Sequence, residues 1–158
     1  MNRPSSTLRS ALALAGFILV TFCAPLVGIF AKPGAWYAAL NKPSWNPPGW
    51  IFGPAWTLLY TLMAIAAWLV WKRDGWQRPL QLYFAQLLLN AAWTPLFFGA
   101  HQLGWALFEI VALWLAILLT LMNFHRVNKT AAWLFVPYLG WVTFASVLNF
   151  TLWRLNPN

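Results

Sequence analysis

Apolar residues fall into five long runs, separated by short polar or proline-rich segments. Each run is about 20 residues long, enough for a helix to cross ~30 Å of hydrocarbon at ~1.5 Å per residue. The pattern predicts helices at Leu8–Phe30, Gly49–Trp71, Pro79–Gly99, Leu103–Phe124 and Thr130–Trp153. The connections are a long first loop carrying Lys32 and Lys42, then KRDGWQRP (Lys72–Pro79), AHQL (Ala100–Leu103) and HRVNK (His125–Lys129). The expected fold class is therefore an all-α integral membrane protein. It is a five-transmembrane-helix bundle forming a single membrane domain over residues 1–158.

Composition agrees with lipid as the main solvent. Hydrophobic residues make up 61% of the chain and charged residues 8%, against roughly 25% charged in a soluble domain. Many of the 13 Trp and 4 Tyr sit at the ends of apolar runs, where amphipathic rings favour the membrane interface. The ten Lys and Arg behind the net charge of +8 lie almost wholly outside the runs, which argues for topology rather than nucleic-acid binding. Arg3 and Arg9 begin the first run as in a signal peptide, but its apolar part exceeds the ~7–15 residues of a signal core, so it is expected to be a retained span. Cys23 is the single cysteine and is expected to be a packing residue of that span.

Five crossings divide the cations unequally. Arg3, Arg9, Lys72, Arg73, Arg78, Arg126 and Lys129 share one side; Lys32, Lys42 and Arg154 share the other. The positive-inside rule puts the N-terminus in the cytoplasm and the first loop and C-terminus outside. This bias favours a bacterial inner membrane.

Special residues concentrate in the outer half of the expected bundle. Trp56 lies about two turns into the second span, Asn90 is mid-span on the third with Trp93 one turn beyond, and Glu109 is near the outer end of the fourth. Pro137, Trp141, Ala145 and Asn149 recur every four residues on the fifth and so share a broad face. Asn90 and Asn149 suit either a ligand cavity or bonds between helices. Trp56 and Trp141 suit either a cavity or packing. Glu109 is costly inside a membrane and marks either function or a specific partner.

Above these positions runs NKPSWNPPGWIFGPAW, Asn41–Trp56, with four prolines and three tryptophans. Proline fixes φ and removes a donor, so such a segment is stiff without being helical. Pro47 and Pro48 stand where the second helix should start. Trp36, Tyr37, Trp45 and Trp50 add apolar area with polar tips. The loop reads as a preordered lid over an aromatic cavity.

Four segments, LNKPSWNPPGWIFGPAWTLLY, QLLLNAAWTPLFFG, GWALFEIVALW and WLFVPYLGWVTFASVLNFTLWRLN, together resemble the TspO/MBR family over Ala35–Asn156. This family comprises the bacterial tryptophan-rich sensory proteins and the mitochondrial translocator protein, or peripheral benzodiazepine receptor. The resemblance implies a five-helix bundle, a homodimer, and a cavity under the first loop. It implies tetrapyrrole ligands such as protoporphyrin IX, synthetic benzodiazepine-receptor-type ligands, and lipid surroundings. It implies no required cofactor, porphyrin being a ligand. Carried over motif by motif, the implied ligand-binding residues are Trp36, Tyr37, Pro47, Trp56, Tyr60, Asn90, Trp93, Glu109, Trp141 and Ala145. The family's sterol motif falls at Val147–Arg154, where Phe150 replaces the expected tyrosine. Some family members sit in outer membranes.

For a porphyrin, Trp56, Trp93 and Trp141 would offer ring faces, while Lys32 and Lys42 at the mouth would pair with its carboxylates at ~0–1 kcal/mol each. No His or Cys stands at pocket depth as an axial ligand, so no metal site is expected. The two acids, Asp74 and Glu109, lie on opposite sides and make no catalytic pair. Three readings remain: a receptor or sensor of tetrapyrroles, a porphyrin or sterol-like transporter, and a light-dependent porphyrin-degrading enzyme. In the last, Trp141 is the photochemical candidate. The topology expectation has a direct check. In intact cells, an impermeant thiol reagent should label a cysteine placed at Ala35 and spare one at Arg73; the converse would reverse the orientation.

Overall fold

The structure, a computed structural model, describes residues 6–31 and 33–157. It is helical throughout, with no strand among the described residues. The helices are α1 (Ser6–Cys23), α2 (Ala35–Ala39), α3 (Phe52–Asp74), α4 (Arg78–Thr94), α5 (Leu103–Val127) and α6 (Lys129–Leu155). Four segments are long and apolar enough to cross a membrane: Thr7–Gly28, Gly49–Asp74, Leu103–Val127 and Lys129–Leu155. Alone, α4 has 17 residues, somewhat short of the ~20 that a span requires. A π-helical turn, Pro95–Gly99, extends it.

Proline and glycine set most of the boundaries. The first apolar run is not one α-helix to Phe30: α1 stops at Cys23 and tightens into a 3-10 turn, Ala24–Gly28, with Pro25 in its first turn. Proline supplies no N–H to the preceding turn, so the α-helical ladder gives way there. Pro54 falls in the first turn of α3, where its missing donor costs nothing. The same helix ends at Gly75, whose φ of +67° suits glycine, with its N–H donating to the Trp71 carbonyl at 2.9 Å. Pro95 shifts α4 into the π-turn, and Ala100 N–H reaches back to the Pro95 carbonyl at 2.8 Å. Asn128 ends α5 and caps α6, its Oδ1 accepting from Ala131 N–H at 3.2 Å.

The helices pack as a closed ring. α1 lies against α3, α3 against α6, α6 against α5, α5 against α4, and α4 against the 3-10 turn that finishes α1. The core is aliphatic and aromatic, with Met63, Ala64, Leu80, Ile117, Phe124 and Phe135 fully enclosed. Small residues let the ring close. A Cβ on Gly28 would stand 2.5 Å from Thr94 Cγ2 and 2.9 Å from Thr94 Cβ, so only glycine permits this approach of the turn to α4. Ala24 and Gly28, a spacing that also suits contact with a second copy, are buried within the chain. Cys23 is exposed on the outside of α1, which corrects the expectation of a packed thiol.

Buried polar side chains find partners in the core, as the absence of water in a hydrocarbon layer demands, apart from Gln86 Nε2 and the Glu109 carboxylate. Thr21 donates to the Phe17 carbonyl at 2.6 Å, which leaves the Tyr83 hydroxyl as donor to Thr21 Oγ. A second set joins three helices: Tyr60 on α3, Asn90 and Gln86 on α4, and Tyr138 on α6.

Gly28→Ala should lower stability by about 1–3 kcal/mol, the usual range for overpacking. Thermal unfolding in detergent would show it, and adding Thr94→Ala should restore part of the loss. An unchanged midpoint for Gly28→Ala would mean that the close approach is not needed.

Candidate functional site

The ring encloses a cavity of about 530 Å³, within the ~300–1,000 Å³ usual for small-molecule sites. Its floor and walls come from α3, α4, α5 and α6, and its mouth from the connection between α1 and α3. Pro33, Tyr37, Asn46, Pro47 and Gly49 of that connection line it. Rings dominate the wall. Trp56 stacks on Tyr60 with centroids 5.2 Å apart and planes at 25°, and meets Trp141 edge-on at 6.4 Å. Phe52 packs edge-on against Trp141 at 5.8 Å. Across the cavity, Trp93 stacks on Phe97 at 4.7 Å.

Eight of the ten ligand-binding residues that the resemblance implies line this space: Tyr37, Pro47, Trp56, Tyr60, Asn90, Trp93, Trp141 and Ala145. Helical periodicity brings several together. Trp56 and Tyr60 are one turn apart, as are Trp141, Ala145 and Asn149. Asn149 is a wall residue tied to two neighbours: it accepts from Trp93 Nε1 at 3.3 Å and donates to the Leu103 carbonyl at 2.9 Å. Its sequence neighbour on the same face, Pro137, is outside the lining.

The other two stand apart from the lining. Trp36 lies flat on His101, with centroids 4.2 Å apart and planes at 14°, and meets the cavity residue Phe97 edge-on at 6.0 Å. His101 adopts a φ of +56° in the α4–α5 connection. Trp36 and Tyr37 are consecutive on α2, and successive helical side chains point about 100° apart, so one reaches the cavity and the other the neighbouring connection. Glu109 sits on α5 with both carboxylate oxygens buried and neither hydrogen-bonded. Of the two expected carboxylate partners, Lys32 lies outside the described residues. Lys42 Nζ is 4.8 Å from the Tyr37 ring centre and donates to the carbonyls of Ala38 at 3.0 Å and Leu40 at 3.2 Å. Its charge is spent on the C-terminal end of α2.

Sequence reasoning missed the apolar remainder: Pro25, Phe97, Phe98, Ile110, Leu113 and Leu152 all contribute. Nothing separates these from ordinary core residues in sequence. Asn46 was missed as well. It accepts from the Tyr37 hydroxyl at 3.2 Å and donates to the Pro47 carbonyl at 3.0 Å, bracing the loop from within. Burial raises the Tyr37 phenol above its usual range, against a smaller opposing effect of this hydrogen bond, so Tyr37 stays a neutral donor. Among the described residues no group of three or more His, Cys, Asp or Glu is placed to hold a metal ion.

The connection is also tied to the far end of the chain. Asn41 N–H donates to Asn156 Oδ1 at 2.9 Å, and Asn156 Nδ2 returns a bond to the Asn41 carbonyl at 3.0 Å. Trp45 and Trp50 stay 45% and 74% exposed, so they face the surroundings rather than the cavity.

A helical chain of membrane composition, closed around an indole- and phenol-walled cavity, defines the class of this protein. Residues 12–154 match the TspO/MBR family, and the chain belongs to it. Its relatives include the translocator protein of Homo sapiens, 46% identical over 77% of this chain and 75% of the relative. The tryptophan-rich sensory protein of Cereibacter sphaeroides is 47% identical over 83% of each chain. Protein CrtK of Rhodobacter capsulatus is 41% identical over 89% of this chain and 91% of the relative.

Asn156→Ala should loosen the mouth without opening the bundle. Amide exchange over residues 35–41 should accelerate roughly 2–10-fold, the worth of one or two hydrogen bonds, while α5 exchanges as before. Unchanged exchange in that segment would show that the pairing with Asn156 does not hold the connection.

Proposed function

We propose that this chain is a membrane receptor or sensor that binds tetrapyrroles, represented by protoporphyrin IX, in its interior cavity and thereby regulates tetrapyrrole or stress responses. In this reading α4 and its π-turn make a fifth crossing, and the proline-rich connection is the lid. The observation that carries it is the cavity wall: Trp56, Tyr60, Trp93 and Trp141 present large aromatic surfaces around an enclosed apolar space, with few polar groups among them. A flat macrocycle gains by stacking on such rings. Synthetic benzodiazepine-receptor-type ligands, also flat and apolar, suit the same space. At the mouth, a propionate would compete with the Ala38 and Leu40 carbonyls for Lys42, a hydrated contact of ~0–1 kcal/mol.

The same reading has the N-terminus in the cytoplasm and the lid outside, following the cation bias, with two copies associating as the family resemblance implies. Trp36 becomes a lid anchor through His101. Glu109 keeps a proposed role at the cavity periphery rather than in its wall.

Titration of protoporphyrin IX against intrinsic tryptophan fluorescence tests the site. Wild type should quench in a saturable way. Joint replacement Trp56→Phe and Trp141→Phe should weaken binding about 5–50-fold, the scale of two lost aromatic contacts at ~0.5–1.5 kcal/mol each with some lost area. Unaltered affinity in the double variant, read by porphyrin absorbance, would remove the cavity from the proposal.

A further inference from the structure

At the end of the bundle opposite the cavity mouth, KRDGWQRP joins α3 to α4 beside the start of α1. Four cations gather there: Arg9 on α1, Lys72 and Arg73 on α3, and Arg78 on α4, with Asp74 the one acid among them. All five side chains are exposed, and among the described residues none of them forms an ion pair. Two of the cations rest on indoles instead. The Arg9 guanidinium is 5.9 Å from the Trp71 ring centre, and Lys72 Nζ is 4.6 Å from that of Trp68. Trp68 is itself fixed, its Nε1 donating to the Ser10 carbonyl at 3.0 Å. A ring face attracts a cation without neutralising it, so the excess positive charge stays open to an anion.

Below these charges two helices part. α1 packs along α3, but it meets α4 mainly through the turn Ala24–Gly28, so α1 and α4 diverge toward the end that carries Arg9. Aromatic rings occupy the wedge between them. Trp76 stacks on Phe84 of α4 with centroids 5.5 Å apart and planes at 23°, and lies 6.2 Å from Phe17 of α1. Phe17 in turn is 6.5 Å from Trp71. The wedge is not sealed: Trp76 is held from two sides and is still 64% exposed. The helices on either side of it also present apolar chains outward, Leu12 and Leu19 on α1 and Leu88 on α4.

We propose that this wedge binds an anionic phospholipid, with Arg9 and Arg78 holding the headgroup phosphate and Trp76 flooring the upper part of an acyl chain. Charge and shape favour that occupant. A guanidinium offers a phosphate paired N–H donors. A soluble anion would use the cations and leave the rings bare. A zwitterionic lipid would use the rings, but it brings a cation of its own to a place that already has an excess. An anionic lipid satisfies both parts from within the bilayer, and basic pockets between helices at a membrane surface take such headgroups. The site is separate from the interior cavity and does not depend on which ligand that cavity holds.

Contact quenching of tryptophan by brominated lipid tests this with the full-length chain in vesicles. Two preparations hold the same minor fraction of phosphatidylglycerol in phosphatidylcholine, so their surface charge is equal. In one, the acyl chains of the phosphatidylglycerol carry the bromine; in the other, an equal amount of phosphatidylcholine does. The Trp76 signal is the difference between wild type and Trp76→Phe. Brominated phosphatidylglycerol should quench it roughly 3–10-fold more than brominated phosphatidylcholine, since each cation near the surface favours an anionic lipid about fivefold. Joint replacement Arg9→Gln and Arg78→Gln should bring that ratio to about one. Arg126→Gln with Lys129→Gln removes the same charge from the α5–α6 connection at this end and should leave the ratio as it was. A wild-type ratio of one would overturn the site. So would a ratio that survives the first pair of replacements, or one that the second pair lowers as much, because the attraction would then belong to the whole charged end. Loss of the ratio on adding inorganic phosphate at constant ionic strength would give the cations to a soluble anion and overturn lipid as the occupant.

Discussion

The structure depends on one carboxamide. Asn90 sits where α3, α4 and α6 converge, accepting from Tyr60 on α3 and donating to Tyr138 on α6. A polar group in a hydrocarbon layer has no water to fall back on, so an unmatched amide there costs ~1–3 kcal/mol or more. That cost holds three helices in one register. It also puts a carboxamide in the cavity wall, and Trp56 and Tyr138 pack edge-on at 6.2 Å.

An interior space next to such a tie needs helices that stop filling it. Proline provides this at the cavity end. Pro25 ends the α-helical part of the first span, and Pro95 bends the geometry of α4 into a π-turn. Both changes displace backbone that regular helices would carry straight on. In the other half α6 stays α-helical through Pro137, and Tyr83, Phe124 and Phe135 fill the ring, with Phe124 and Phe135 centroids 5.2 Å apart. The packed half resists deformation as protein interiors do, while the half with the cavity is closed by a connection that is stiff in itself and fastened through Asn41 and Trp36.

Helix positions were largely legible in the sequence, because apolar length and flanking charge are local properties. Helix ends were less so. Leu8–Phe30 reads as one apolar run, yet its last turns change type at Pro25. The wall of the cavity was legible only where a special residue type marked it. Trp56, Trp93 and Trp141 stand out in sequence, and their spacing within each helix assigns them a face. Phe97 and Ile110 carry no such mark. The resemblance brings both Trp36 and Tyr37 to the pocket, but a shift of one residue on a helix is enough to give a ring another neighbour, here His101. Lys42 was expected to wait at the mouth for an anion, whereas the carbonyls at the end of α2 already occupy it.

The sequence by itself determined that lipid is the solvent, where the long helices run, and that indoles and rigid loop chemistry gather at one end. Each of these follows from composition and periodicity, which act over a few turns of chain. Only the tertiary structure decided that α4 closes the ring through Gly28 and Thr94. Only it decided that Asn90 is held by two phenols, that Asn149 is tied to two neighbours, and that Gln86 accepts from Tyr138. These depend on which faces meet across sequence separations of 30 to 66 residues, and helical periodicity fixes a face without fixing what lies opposite.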